Sequence, residues 1–227
     1  MSDWRRFQDR YVLDRMLAGH IANRLQQEIE KRGRTSLAVS GGTTPRQMFQ
    51  LLSRCELDWS RVWITLVDER WVPGDSPDSN ERLVREHLLQ NHAAAAQFVP
   101  LKTPHRMPGE ALTTLGEQLV QVPRPFAAVV LGMGTDGHTA SWFPRADNLT
   151  ALLDPAASEQ IAATYPRSAP HARATLTLAA VLESTEILIH ITGEDKAAVL
   201  ETAVEREFPV AAVLTQRRTP VIVFWAP

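Results

Sequence analysis

Short runs of almost uninterrupted apolar residues, AAVVL at Ala127 to Leu131 and VIVFW at Val221 to Trp225, stand between longer amphipathic stretches. A strand with one face in water alternates polar and apolar residues, so runs like these suit strands covered on both faces, as in a parallel sheet flanked by helices. The stretches between them fit that reading. From Asp9 to Lys31 the apolar residues Val12, Leu13, Met16, Leu17, Ile21, Leu25 and Ile29 fall at helical spacing, and Gly33 can end the helix. Thr35 to Val39 reads as a strand, Ser40 to Thr44 as a turn, and Pro45 as an early residue of a helix carrying Met48, Phe49, Leu51 and Leu52. The alternation continues with strands at Val62 to Val67, Ala127 to Leu131, Glu186 to Thr192 and Val221 to Trp225, and helices at Asn80 to Gln90 and Glu194 to Glu205. It predicts an α/β fold with a mostly parallel central sheet. The proline-rich segments Pro73 to Ser79 and Lys102 to Pro108 are expected to be internal loops, so residues 1–227 form one domain.

The balance of charge narrows the partners. With 24 Lys and Arg against 26 Asp and Glu, the formal net charge is −2. There is no basic excess to neutralise a nucleic-acid backbone, so an anionic ligand must be caught locally. Charged residues Asp3, Arg5, Arg6, Asp9 and Arg10 occupy the first stretch, and no run is long enough to span a bilayer. The expectation is a cytoplasmic protein. Its single cysteine, Cys55, is expected to pack and not to react.

In open α/β sheets ligands bind beyond the carboxyl ends of the strands. Three loops at such ends stand out. The first, SGGTTP at Ser40 to Pro45, either lets a phosphate approach its backbone and the helix start behind it, or is a tight turn with Thr43 or Thr44 as a cap. The second, Asp68-Glu69-Arg70, follows the strand VWITLV and is expected as a loop; alone it could be a solvated charge cluster. The third, GMGTDGHTASWFP at Gly132 to Pro144, presents Asp136 and His138 from a strand end. Gly132, Gly134 and Gly137 match the spacing of a dinucleotide loop, but Thr139 and Pro144 interrupt the helix such a loop should open. A histidine that moves protons at neutral pH is the alternative.

The other histidines, His20, His87, His92, His105, His171 and His190, are expected to be structural. No His, Cys and carboxylate spacing makes a metal site convincing. Ser141 lies in no nucleophile elbow and is expected to cap or pack. Arg173, before ATLTL, and Lys196, in GEDK, are candidate anion contacts. Trp4 and Trp71 are expected on the surface.

Taken in order, SGGTTP, LVDERWVP with DSNERLVREHLL, LGMGTDGHTASWFP, RATLTL, GEDK and VIVFWAP closely resemble the 6-phosphogluconolactonase family, which shares its fold with glucosamine-6-phosphate deaminases. The resemblance covers nearly the whole chain. It implies a Rossmann-like three-layer α/β fold and hydrolysis of 6-phosphoglucono-1,5-lactone to 6-phosphogluconate in the pentose phosphate pathway. It implies no metal or organic cofactor. Its partner would be the small phosphorylated lactone, with neither nucleic acid nor membrane, and a monomer is the expectation. By the same resemblance Ser40, Gly41, Gly42, Thr43 and Thr44 would hold the phosphate with Arg173 and Lys196, and Gly134, Asp136 and Gly137 would join the substrate-binding set. His138 would be the general base, with Asp68 and Arg70 in the reacting half of the pocket; there Arg70 is expected to stabilise the developing oxyanion or the product carboxylate, and Asp68 to orient Arg70 or His138. Two residues depart from the family pattern: Trp142, where a leucine-like residue is usual, and Arg145, where glycine is common. Both are expected at the pocket rim. An amino-sugar phosphate deaminase is the alternative enzyme. It carries an asparagine–glutamate pair after D-G-H, where this chain has T-A-S-W-F-P, and DEY in place of DER. A non-catalytic sugar-phosphate sensor is the alternative outside enzymes.

Overall fold

A computed structural model describes residues 3–227. In chain order the elements are β1 (Asp3–Arg6), α1 (Arg10–Arg32), β2 (Thr35–Val39), α2 (Arg46–Leu52), β3 (Val62–Leu66), β4 (Asp68–Arg70), α3 (Asn80–His87), β5 (Gln97–Val99), α4 (Leu112–Leu119), β6 (Ala128–Leu131), α5 (Leu149–Leu152), β7 (Ile161–Thr164), β8 (Arg173–Leu176), α6 (Leu178–Leu182), β9 (Ile187–Thr192), α7 (Glu194–Glu201), α8 (Ala211–Thr215) and β10 (Val221–Ala226). Seven strands form a sheet in the order β1-β10-β9-β6-β2-β3-β5, every neighbouring pair parallel. The apolar runs occupy its interior: β2 and β6 are buried at every position, and Ile187, Leu188, Ile189 and Ile191 of β9 are fully buried. This is the α/β architecture expected from the sequence. No helix among the described residues is long and apolar enough to cross a membrane.

Helix α1 shows how local signals set an element. The Asp9 side chain accepts a hydrogen bond from the Val12 N–H at 2.8 Å, satisfying a first-turn donor. At the other end Gly33, at φ +76°, donates its N–H to Ile29 O. The helix packs on β10, β2 and β6 through Leu13, Leu17, Ile21 and Leu25. Met16, counted with this face, is instead 49% exposed, and Asp14 is buried. The buried stripe thus sits slightly off the one read from apolar spacing, and it includes a carboxylate.

The charged triplet Asp68-Glu69-Arg70 is not a loop. After β3 the chain leaves the main sheet, and these residues form β4, the edge of a smaller antiparallel sheet in the order β4-β8-β7. Both Asp68 and Glu69 are buried, so the solvated-cluster reading fails. Trp142 is not at a rim: it is fully buried, and its Nε1 donates to Leu176 O at 2.9 Å, so its indole fills the space beneath β8 with its one donor satisfied. Arg145 adopts φ +65°, the left-handed region that glycine enters without a Cβ penalty. Neither tryptophan expected on the surface is free. Trp4 lies half-buried under the Arg6 guanidinium, and Trp71 donates to His105 O while Lys102 sits 4.2 Å above its ring.

Candidate active site

The loops that follow β2, β6 and β9 converge at the carboxyl edge of the main sheet, and β4 and β8 close them from the side. Together they enclose a cleft of about 330 Å³. Of the residues singled out from sequence, Ser40, Gly41, Gly42, Thr43, Thr44, Asp68, Arg70, Gly134, His138, Arg173 and Lys196 line it. Asp136 and Gly137 do not.

His138 sits at the tip of a tight loop in which Gly134 N donates to His138 O, and Gly137 N to Gly134 O. Its Nδ1 lies 2.5 Å from Asp136 Oδ1, which also accepts the His138 backbone N–H. The ring stacks on Phe143 with centroids 4.3 Å apart. Asp136 therefore stands behind the imidazole. Partial burial pushes its carboxyl up, but the hydrogen bond and charge of His138 outweigh that and leave it below the usual carboxylate range. An ionised Asp136 keeps the proton on Nδ1 and leaves the Nε2 lone pair free. Gly137, at φ +76°, packs against Phe208, whose Cβ lies 2.5 Å from where a Cβ would sit. It shapes the loop and does not face a ligand.

Among the described residues Asp68 makes no hydrogen bond or ion pair with Arg70 or His138. Its Oδ2 accepts from Ser141 Oγ at 2.5 Å and lies 3.8 Å from Arg173 Nη1, while Asn80 Nδ2 donates to its backbone carbonyl. Ser141 is thus a hydrogen-bond partner for a site carboxylate, a contact that its place in sequence does not reveal. Arg70 is held through Nη1 to Asp78 O at 2.7 Å. Burial lowers the Arg173 guanidinium pKa, and neighbouring Asp68 opposes that.

The other half of the cleft is the SGGTT turn. Among the described residues no side chain caps α2, so neither Thr43 nor Thr44 serves as its cap. Gly42 takes φ +96°, and a Cβ on Gly41 would lie 1.9 Å from Asn80 Oδ1, so both glycines are required by backbone shape or close approach. Arg10, from the first turn of α1, donates through Nη2 to Thr43 O and Thr44 O, fixing the turn from behind. Lys196 faces the turn from α7, and its partial burial lowers its ammonium pKa. Sequence reasoning did not select Asn80, Phe143 or His190, which also line the cleft. Asn80 follows the helix-capping Ser79, a signal that could have been pressed; a histidine inside the apolar run ILIHIT was the available signal for His190.

A family described as glucosamine-6-phosphate isomerases/6-phosphogluconolactonase matches residues 8–223. The chain belongs to this family. It is 48% identical to a 6-phosphogluconolactonase of Mesorhizobium japonicum over 99% of its own length and 95% of the relative's. It is 40% identical to a 6-phosphogluconolactonase of Rhizobium meliloti, covering 97% of each chain. A crystal structure of a 6-phosphogluconolactonase from Shewanella baltica superposes with a TM-score of 0.97 at 46% identity, over 100% of this chain and 98% of that one. The match to a monomeric glucosamine-6-phosphate deaminase, TM-score 0.73 at 17% identity over 99% and 97% of the two chains, shows the shared fold.

Proposed function

We propose that this chain hydrolyses 6-phosphoglucono-1,5-lactone to 6-phosphogluconate, in the pentose phosphate pathway, with His138 as general base. The observation that carries this reading is the imidazole whose Nδ1 is held by Asp136 and which lines the same cleft as the SGGTT turn and Lys196. A phosphate held by that turn with Lys196 and Arg173 keeps the lactone carbonyl within reach of His138, so binding energy remote from the reaction sets its geometry.

Water attacks C1 while His138 Nε2 takes its proton. The tetrahedral intermediate then collapses, the bond between C1 and the ring oxygen breaks, and the imidazolium returns the proton to that oxygen, leaving an open-chain acid. General acid–base assistance of this kind contributes roughly 10²- to 10⁴-fold in rate. Arg70 stabilises the charge developing on the C1 oxygen. Asp68, paired with Ser141 and Arg173, fixes the guanidinium that faces the substrate. The amino-sugar deaminase reading is disfavoured because positions 139–144, TASWFP, carry no carboxylate to join the histidine. A cytoplasmic monomer remains our proposal for its setting.

The test is lactone consumption against spontaneous hydrolysis, with phosphorylated and unphosphorylated gluconolactone side by side. We expect the phosphorylated substrate to be strongly preferred, and His138→Ala to lose about 10²- to 10⁴-fold in kcat with an unchanged melting temperature. Unchanged turnover in that variant would remove the base assignment, and ammonia release from glucosamine 6-phosphate would favour the deaminase.

A further inference from the structure

We infer that His190 binds the substrate's phosphate through the ring nitrogen not paired with Asp14, with Asp14 and Arg10 as positioning residues. The inference rests on the phosphate-at-the-turn part of the function proposed above and adds a contact to it.

His190 interrupts the apolar strand ILIHIT and is 3% exposed, yet it lines the cleft. Burying an imidazole inside a sheet costs free energy unless its nitrogens are matched, so its presence needs a partner. Part of that partner is Asp14 of α1, fully buried, whose Oδ1 lies 3.0 Å from His190 Nε2, though off the line of a ring N–H bond. Nδ1 has no hydrogen-bond partner among the described residues. Ser40 Oγ, on the same cleft, is likewise buried and unpartnered there.

The same helix and strand supply a contrast. Near the opposite end of β9, Glu186 meets His20 and Arg24 of α1. There His20 Nε2 is 2.8 Å from Glu186 Oε1, Arg24 Nη2 donates to Oε2 at 3.1 Å, and His20 Nδ1 meets Arg5 Nη1 at 3.2 Å. Every one of those atoms is bonded, as a purely structural tie between helix and strand requires. The Asp14–His190 pair joins the same two elements, on a residue that lines the cleft, but leaves Nδ1 without a hydrogen-bond partner among the described residues.

The surroundings identify the ligand as an anion. Arg10 Nε lies 3.8 Å from Asp14 Oδ2, and its Nη2 reaches the carbonyls of Thr43 and Thr44. Lys196 is close enough to Arg10 for that charge to add to the lowering of its ammonium pKa, which burial dominates. Arg10, Asp14, His190, Lys196 and the SGGTT turn therefore form one polar array, of which His190, Lys196 and the turn line the cleft. A phosphate oxygen and Nδ1 sharing one proton would satisfy the imidazole, whichever partner formally carries that proton. Asp14 holds the far side of the ring, and Arg10 links Asp14 to the turn.

Binding of inorganic phosphate, followed by titration calorimetry, tests this without turnover. His190→Leu should raise the dissociation constant at least about tenfold, the loss expected for one charged hydrogen bond. His190→Asn, whose amide nitrogen or oxygen can stand near the Nδ1 position, should stay within about threefold of wild type. Because leucine leaves Asp14 without its partner, wild-type protein provides an independent readout: the ring ¹⁵N shifts of His190 should move with phosphate and saturate at the calorimetric constant. A cooperatively folded His190→Leu protein that binds phosphate within twofold of wild type, or His190 nitrogen shifts unmoved at saturation, overturns the inference. Either result leaves lactone hydrolysis standing, while a wild-type chain that binds phosphate through His190 but opens no lactone sinks the proposed function alone.

Discussion

An imidazole can take a proton from water only if its other nitrogen keeps one, and a carboxylate at that nitrogen is the simplest device for this. Asp136 occupies that position at 2.5 Å from His138 Nδ1. Asp136→Ala should therefore reduce kcat between about ten- and a thousandfold with KM nearly unchanged, because the tautomer and ring angle are lost while the phosphate grip remains. A matching rise in KM would instead mean that the carboxylate touches substrate. The Asp136 carboxyl is held below its ordinary 3.8, so its stabilising contribution is present above that value and lost as pH falls through the lower folded-state value. A loss of activity at pH values above 3.8 must then come from another group. The sequence made His138 and the SGGTT turn legible because glycines at close spacing mark where backbone must bend or approach a ligand. It did not reveal the partners of Asp136 and Asp68, since which way a carboxylate points is decided by neighbours such as Ser141, which lies 73 positions from Asp68 in the chain.

Helix α1 was legible almost to the residue, because Asp9 and Gly33 carry its start and stop within the local sequence. Strand β4 was not. Three charged residues have no strand signature, and their pairing with β8 depends on a segment about a hundred residues later. What makes β4 matter is Glu69, fully buried, whose carboxylate accepts the backbone N–H groups of Arg70, Asn80 and Glu81 and the Ser79 hydroxyl. Burial raises its pKa against those hydrogen bonds, the price of placing a carboxylate at the start of α3. Glu69→Ala would leave buried N–H groups unpaired and release the segment that holds Arg70 and Asn80. We expect a loss of about 2 to 4 kcal/mol in chemical denaturation, together with reduced turnover. A variant within about 0.5 kcal/mol of wild type would show that the network is incidental.

The cleft draws on β2, β6 and β9 of the parallel sheet and on β4 and β8 of the antiparallel one, so no single supersecondary unit contains it. A ligand there binds only when both sheets and the helices α1, α3 and α7 are in place, and its binding free energy must stabilise them together. At a concentration about a hundred times its dissociation constant, such a ligand adds about 2.7 kcal/mol to folding. For a chain of this length each kcal/mol moves the melting temperature by about 2 to 4 °C, so 6-phosphogluconate should raise it by about 5 to 10 °C. We propose that residues 1–227 unfold as one unit, in which case scanning calorimetry should give a single peak that shifts whole. Two peaks, with only one moved by 6-phosphogluconate, would mean that the sheets melt separately and that one of them supplies the binding energy. The unphosphorylated acid should move the peak far less, because the SGGTT turn, Lys196 and Arg173 meet charge that only the phosphate brings. An equal shift from both acids would place the recognition at the carboxylate end, beside His138 and Arg70.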